Sequence, residues 1–173
     1  MSDRFAAQIT VGGTIKRSLV EELCGVISQS GAGPDWEGGC EPQNEADLLE
    51  LVGENGTMVL HDCQACYGQF DDLEQFLEEH EIPFDRHSEA KYEYDGELVK
   101  YRPGHGCDVF ETTQDGRVCV KVAEVEDIVR RLDSVETLGK RELLRLVEEV
   151  RDDLRGVMAM DVPPVPPLVI VEG

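Results

Sequence analysis

The chain has 173 residues, and its 37 acidic against 16 basic side chains give a formal net charge of −21. Proteins that bind nucleic acid through its phosphates depend on Lys and Arg to displace counterions, so this balance argues against direct phosphate binding. A chain of this length is expected to form one compact domain with a core of its own.

The N-terminal residues 1–8 lack the basic flank and apolar run of a secretory signal. No apolar run approaches the ~20 residues that a membrane-spanning helix needs. We therefore expect a cytoplasmic protein without a membrane partner. Its six cysteines are then more consistent with reduced thiols or metal ligands than with a disulfide framework.

The first predicted elements are a strand and a helix. Phe5, Ala7, Ile9 and Val11 alternate with more polar residues, which is the period of a strand with one buried face. Beyond Gly12 and Gly13 the period becomes helical over residues 15–27, and Gly31 is placed to end that helix. Residues 31–43 are rich in Gly, Pro and acids, which predicts a loop.

The middle of the chain predicts a hairpin, a helix and a strand. Segments 48–52 and 57–63 flank Asn55-Gly56, a strong hairpin signal, with a helix over 45–52 capped by Asn44 as the alternative. Asp71-Asp72 opens an acidic helix that Ile82-Pro83 ends, and residues 84–88 follow as a short strand.

The order strand, helix, strand, strand, helix, strand predicts an α+β fold with a ferredoxin-like split β-α-β core, βαββαβ. Turns at Asp95-Gly96, between strands 92–94 and 98–101, and at Asp115-Gly116, between strands 109–113 and 118–122, extend it by an antiparallel meander. Helical periodicity returns from Val125, with Asp133 and Glu136 in capping spacing. We expect an α+β domain over 1–133, a C-terminal helix over 134–160 packed on it, and a Pro-rich extended tail over 161–173.

Acidic residues are concentrated in one part of the chain. No Lys or Arg occurs between Arg17 and Arg86, while residues 18–85 contain 17 acids. Such a segment either forms a solvated face or binds a basic partner, and it offers no Asp-x-Asp-x-Asp-Gly calcium loop. The candidate partner-binding residues are Glu45, Asp47, Asp71, Asp72, Glu74, Glu78, Glu79 and Glu81.

The cysteine and histidine spacing suggests one candidate metal site. Cys63 and Cys66 have the C-x-x-C spacing that can chelate tetrahedral zinc, and His105 and Cys107 offer a second pair of ligands. On a regular strand, however, the side chains of Cys63 and Cys66 point to opposite faces. Zinc is the one cofactor that the sequence suggests, and a chain without any cofactor is the simpler expectation.

Basic residues are concentrated beyond the acidic segment. Arg86, Arg102 and His105 could form an anion pocket, or they could neutralise the acidic segment. No Ser-His-Asp, Cys-His or paired-carboxylate pattern has a context that points to catalysis.

These patterns favour a non-enzymatic acidic protein that binds a basic protein surface, with an inhibitor or a nucleic-acid mimic as specific forms. A zinc-stabilised binding module and a small enzyme with an anion pocket are the alternatives. The apolar stripe of the helix over 137–156 either packs on the sheet or forms a homodimer seam, and the tail is a second route to a homodimer.

Overall fold

The structure, a computed structural model, describes residues 3–91, 94–133, 135, 138–158 and 161–173. It begins with strand β1, Arg4–Val11, whose alternate residues from Phe5 onwards are buried, as the sequence period predicts. The helix predicted over 15–27 begins later than expected. Residues Thr14–Lys16 form a short strand β2, which pairs with the tail, and a 3₁₀ turn over Arg17–Leu19 leads into helix α1, Val20–Ser30. Gly31 ends α1 in the left-handed conformation, with φ 75°.

The segment predicted as the first strand of a hairpin is a helix, α2, Glu45–Glu50. The side-chain oxygen of Asn44 accepts hydrogen bonds from the backbone N–H groups of Ala46 and Asp47, which caps this helix. The strand prediction over 48–52 is therefore wrong and the helix alternative is confirmed. The turn at Asn55-Gly56 is present, and of the predicted hairpin pairing one antiparallel bridge remains, between Val52 and Met58.

Strand β3, Met58–Cys66, helix α3, Asp71–Glu79, and strand β4, Phe84–Ser88, follow in order. Both β3 and β4 pair antiparallel with β1, one on each side of it. They consequently run in the same direction, and α3 connects them across β1.

Strands β5, Gly96–Arg102, and β6, Gly106–Thr112, complete a five-stranded antiparallel sheet in the order β3-β1-β4-β5-β6. Tyr92 and Glu93 of the predicted strand 92–94 lie outside the described residues. The predicted strand over 118–122 is reduced to one bridge between Thr112 and Val118. The fold is mixed α+β, and the specific ferredoxin-like arrangement is not confirmed.

Helices α1 and α3 contact each other and cover one face of the sheet. The core between these helices and the sheet is almost entirely aliphatic and aromatic. Among its fully buried members are Ile9, Leu23, Ile27, Leu60, Leu73, Leu77 and Phe84.

Two further helices, α4, Val122–Asp133, and α5, Lys140–Val157, follow β6. Arg131 of α4 forms ion pairs with Glu149 and Asp153 of α5, while Glu124 lies near Gly156, so the two helices run antiparallel. Glu136, the second member of the predicted capping pair, lies outside the described residues.

The tail returns to the body of the protein. Its last strand, β7, Val169–Val171, pairs parallel with β2, and Leu168 is buried in the core. The Gly13 N–H donates to the carbonyl oxygens of Pro166 and Pro167. Among the helices described, none is long and apolar enough to cross a membrane.

Candidate functional site

The exposed face of α3 carries most of its acidic side chains. Leu73, Phe76 and Leu77 point into the core. Apart from Glu74, the other residues of the helix are exposed, and they are Asp71, Asp72, Gln75, Glu78 and Glu79. Two pairs of adjacent carboxylates therefore stand seven residues apart, about 10.5 Å along the helix axis.

The C-terminal end of α3 is unusually acidic for a helix terminus. Its last turn contains Glu78 and Glu79 and no basic residue. Glu81, just beyond, is exposed and has a left-handed backbone with φ 55°. Acidic side chains are unfavourable near the negative end of a helix dipole, and a non-glycine residue with positive φ is uncommon. The local sequence thus opposes stability at this point.

Tyr101 of β5 joins this helix end to the sheet. Its hydroxyl group donates a hydrogen bond to the Glu78 carbonyl oxygen at 3.2 Å. Burial raises the pKa of Tyr101 above its ordinary value, and the carboxylates of Glu78 and Glu81 raise it further. The phenol is therefore held in its protonated, hydrogen-bond-donating form.

A groove lined mainly by proline lies beside Glu81 at the same end of the sheet. Its volume is about 490 Å³. The residues that line it come from the β1–β2 turn, the segment before β4, the end of β5 and the tail. They are Gly13, Thr14, Glu81, Pro83, Arg102, Pro103, Pro163, Pro164 and Pro166.

Arg102 fixes the tail wall of this groove. Its Nε and Nη2 atoms both donate to the Pro163 carbonyl oxygen, at 2.8 and 2.6 Å. Its Nη1 atom donates to the carbonyl oxygen of Phe84 at 2.9 Å, and Nη2 forms an ion pair with Asp85 at 2.8 Å. The guanidinium group is buried and satisfied by the protein itself.

Three of the predicted partner-binding acids have internal roles. Glu45 forms an ion pair with Arg17. Asp47 accepts hydrogen bonds from the Gln43 N–H and the Asn44 side chain at the start of α2. These contacts turn both carboxylates toward their own chain.

Glu74 is the third acid with an internal role. Its carboxylate accepts the Phe70 N–H at 2.8 Å and pairs with Arg86 Nε at 2.9 Å. Burial raises the pKa of Glu74, and Arg86 lowers it in part. The predicted set therefore leaves five solvent-facing acids, which we call the α3 acidic face: Asp71, Asp72, Glu78, Glu79 and Glu81.

The structure does not bring the predicted zinc ligands together. Cys63 and Cys66 lie on β3 and His105 and Cys107 lie at β6, the two opposite edges of the sheet. Four inter-strand spacings, about 19 Å, separate those edges. Within residues 3–91, 94–133, 135, 138–158 and 161–173, no group of three or more His, Cys, Asp or Glu side chains could hold a metal ion.

The predicted anion pocket is likewise dispersed. Arg86 is 2% exposed and is occupied by Glu74, Glu97 and the Gly68 carbonyl oxygen. Arg102 holds the tail, and His105 is exposed and pairs with Asp108 at 2.8 Å. The two arginines serve as internal counterions, so they do not present a shared anion site.

Most acids of residues 18–85 lack a basic partner. Among the described residues, only Glu45, Glu74 and Asp85 of these 17 carboxylates form ion pairs.

This imbalance predicts a stabilising effect of salt. Because the unpaired carboxylates repel one another across the surface, we expect about 0.5 M NaCl to raise the melting temperature by about 2–4 °C. Scanning calorimetry at increasing NaCl concentration measures this change in melting temperature. A melting temperature that stays flat or falls would show that self-repulsion is negligible.

The groove is the part of this site that sequence patterns did not indicate. The sequence shows a proline-rich tail, but the position of the tail beside Glu81 depends on contacts between residues far apart in the chain.

No protein-family model, no curated protein and no solved structure matches this chain.

Proposed function

We propose that this chain is a non-enzymatic interaction protein that binds a basic segment of a partner protein. The binding site is the C-terminal end of α3 together with the proline-lined groove. The proposal rests above all on a helix end without a basic residue, where Glu81 lines an apolar groove two and three residues beyond Glu79 and Glu78.

The chemistry of the site defines the partner. Lys or Arg side chains are favoured both by the three carboxylates and by the negative end of the helix dipole. The prolines beside Glu81 offer apolar surface to a neighbouring side chain of the same segment. A basic segment that contains one large apolar residue fits both parts of the site.

The acid spacing favours a protein partner over nucleic-acid mimicry. A mimic of a phosphate backbone needs a regular ladder of negative charges along the helix. On α3, carboxylate pairs about 10.5 Å apart are separated by Gln75, by the buried Leu73, Phe76 and Leu77, and by Glu74, whose carboxylate is turned inward to Arg86. The arrangement suits discrete basic side chains.

The ionisable groups near the site support binding over nucleophilic catalysis. Burial raises the pKa of Cys107, and the carboxylates of Glu78 and Glu74 raise it further. The pKa of Tyr101 is raised for similar reasons. Both groups are held protonated, which opposes their use as nucleophiles.

Charge reversal on α3 tests this proposal. The probe is a fluorescein-labelled peptide, Arg-Arg-Arg-Trp-Arg-Arg-Arg, and its binding is followed by fluorescence anisotropy. We expect Glu78→Lys with Glu79→Lys to weaken binding at least about tenfold, because the variant removes two carboxylates and adds two ammonium groups at the site. Added NaCl should weaken the wild-type complex.

The matched control reverses two charges at the other end of β4. Glu89→Lys with Asp95→Lys changes the net charge by the same amount, and both residues are exposed. We expect this control to weaken binding less than about threefold. Replacing the Trp of the peptide by Ala should also weaken wild-type binding. Equal losses for the two protein variants would mean that the peptide follows net charge alone, which would refute a localised site.

A further inference from the structure

A second surface lies on the antiparallel pair α4 and α5, and it differs in kind from the acidic face. The only buried residue of α4 is Ile128, and the only buried residue of α5 is Val150. Both helices nevertheless carry a stripe of apolar side chains along most of their length. This exposed apolar surface has no role in the basic-partner site.

On α4 the exposed stripe is continuous. Val122, Val125, Val129 and Leu132 follow each other at spacings of three and four residues, and they are between 38% and 71% exposed. Such spacing places all four side chains on one side of the helix. The stripe lies beside Ile128, one residue further round the helix.

On α5 the exposed stripe consists of Leu144, Val147 and Leu154 and continues to Met158 just beyond the helix end; these side chains are between 37% and 58% exposed. Each residue of a helix is rotated by about 100° from the one before it. On both helices the stripe therefore lies between about 40° and 120° round the helix from the buried residue, in the same rotational sense. Ile128 and Val150 are both buried outside the main core cluster. With these two side chains directed toward each other, equal rotations in an antiparallel pair bring both stripes to the same side. On the opposite side of the helix pair, Arg131 of α4 forms ion pairs with Glu149 and Asp153 of α5.

The charges around this face are of opposite sign on the two helices. The α5 stripe is interspersed with Lys140 and Arg151, which lie at three- and four-residue spacings from Leu144, Val147 and Leu154. The α4 stripe is bordered by Glu126 and Asp133. All four charged residues are exposed, and Arg151 also pairs with Asp152.

We infer that this face binds a second copy of the same chain. In a two-fold dimer, α5 of each copy lies against α4 of the other, so Arg151 of each copy lies between Glu126 and Asp133 of the other, and Lys140 adds positive charge at the end of the same face. A partner of one charge sign would complement only half of the face. Two such helix pairs packed through apolar stripes form a four-helix bundle.

The size of the face sets the expected affinity. The 12 residues of α4 span about 18 Å, and two adjacent helices are about 20 Å wide. Such a face is smaller than the ~800 Å² per partner of a standard interface. The dimer is therefore expected to form in the micromolar range rather than at nanomolar concentration.

Sedimentation velocity over a wide concentration range tests the inference. The wild-type chain is expected to pass from monomer to dimer as its concentration rises from about 1 to about 500 µM. Val147→Glu should raise the dissociation constant at least about tenfold, because it places a charge at the centre of the face. Leu49→Glu, at an exposed leucine on α2, is the matched control and should leave the dissociation constant unchanged.

A charge-swap pair identifies the partner as a second copy. One variant, Glu126→Lys with Asp133→Lys, makes both helices basic, and another, Lys140→Glu with Arg151→Glu, makes both acidic. Each alone should remain monomeric, and an equimolar mixture should dimerise again. All substituted residues are exposed, and circular dichroism checks that helicity is retained. A wild-type chain that stays monomeric at the highest concentration, or variants that dimerise without mixing, would overturn the inference.

Discussion

Replacing Arg86 by Met is expected to lower the free energy of unfolding by about 3–5 kcal/mol at neutral pH. Arg86 is 2% exposed and is the counterion of Glu74, whose side chain is 16% exposed. Methionine leaves the Glu74 carboxylate buried without a positive charge, and it removes the hydrogen bond to the Gly68 carbonyl oxygen. Urea denaturation of both proteins measures the difference.

The loss is expected to depend on pH in a defined direction. Burial already raises the pKa of Glu74 in the folded wild-type protein, so ionised Glu74 lowers stability as pH rises through that pKa. Without Arg86 the folded-state pKa of Glu74 rises further. The destabilisation should therefore be largest at neutral pH and shrink as pH falls toward the unfolded-state value of about 4.3.

The control for this substitution is Lys100→Met. Lys100 lies 4.0 Å from Asp85, which keeps its closer ion pair with Arg102 at 2.8 Å. We expect a loss below about 1 kcal/mol for the control. A loss for Arg86→Met no larger than that of the control, or one that is independent of pH, would show that Glu74 and Arg86 are not a coupled buried pair.

Gly12→Ala is expected to lower the free energy of unfolding by about 3 kcal/mol and to release the tail. A Cβ atom at Gly12 would stand 2.0 Å from the Pro166 carbonyl oxygen and 2.8 Å from Val165 Cγ1. The backbone oxygen cannot rotate away as a side chain would. The clash with the Pro166 carbonyl oxygen is removed only if the tail moves. That movement exposes Leu168 and breaks the pairing of β7 with β2.

Amide hydrogen exchange distinguishes tail release from a general loss of stability. The N–H groups of Leu168 and Val169 donate to the carbonyl oxygens of Gly56 and Gly13, at 2.7 and 2.8 Å. In the variant these two amides should lose protection before those of β1 do. Retained protection with a stability change below about 0.5 kcal/mol would show that the tail does not depend on this close approach.

Gly25→Ala is the matched control for Gly12→Ala. Gly25 lies inside α1, and apart from its chain neighbours and the backbone of its own helix no heavy atom of the described residues lies within 4 Å of the position its Cβ would take. Alanine in a helix interior is favoured over glycine by about 0.5–1 kcal/mol, so the control should be more stable than wild type. The same chemical change thus has opposite expected effects at the two positions.

Periodicity predicted the parts of the fold whose burial pattern is local. The alternation in β1 and the end of α1 at Gly31 correspond to the observed elements. The helical period read from Ile15 holds only from Val20, because Ile15 belongs to β2, whose pairing with the distant β7 no local pattern shows. The segment 45–50 was ambiguous because its single buried residue, Leu48, fixes no period. Asn44, which accepts the first helical N–H groups, decides the structure in favour of a helix.

The candidate site could be predicted only in part. The acidity of α3 was evident from its sequence, and its buried Leu73, Phe76 and Leu77 fix which acids face solvent. Glu74 turns inward because it pairs with Arg86, which lies on β4, the strand that follows α3. No local pattern shows that Arg86 and Arg102 neutralise internal carboxylates and backbone carbonyls.

The groove could not be predicted from the sequence because one of its walls is the folded-back tail. Its prolines appear as an extended segment, yet their function as a wall depends on Arg102 holding the Pro163 carbonyl oxygen. It also depends on glycine at position 12, where the tail backbone approaches closely. Both contacts join residues far apart in the chain, which periodicity cannot detect.

The most direct test of the proposed function locates the basic peptide on the surface. Amide chemical shifts of the ¹⁵N-labelled protein are followed while the peptide Arg-Arg-Arg-Trp-Arg-Arg-Arg is added. We predict the largest changes at residues 78–82, at Tyr101 and at the groove residues Gly13 and Thr14. Changes spread evenly over all exposed acids, or centred on α4 and α5, would contradict a binding site at the C-terminal end of α3.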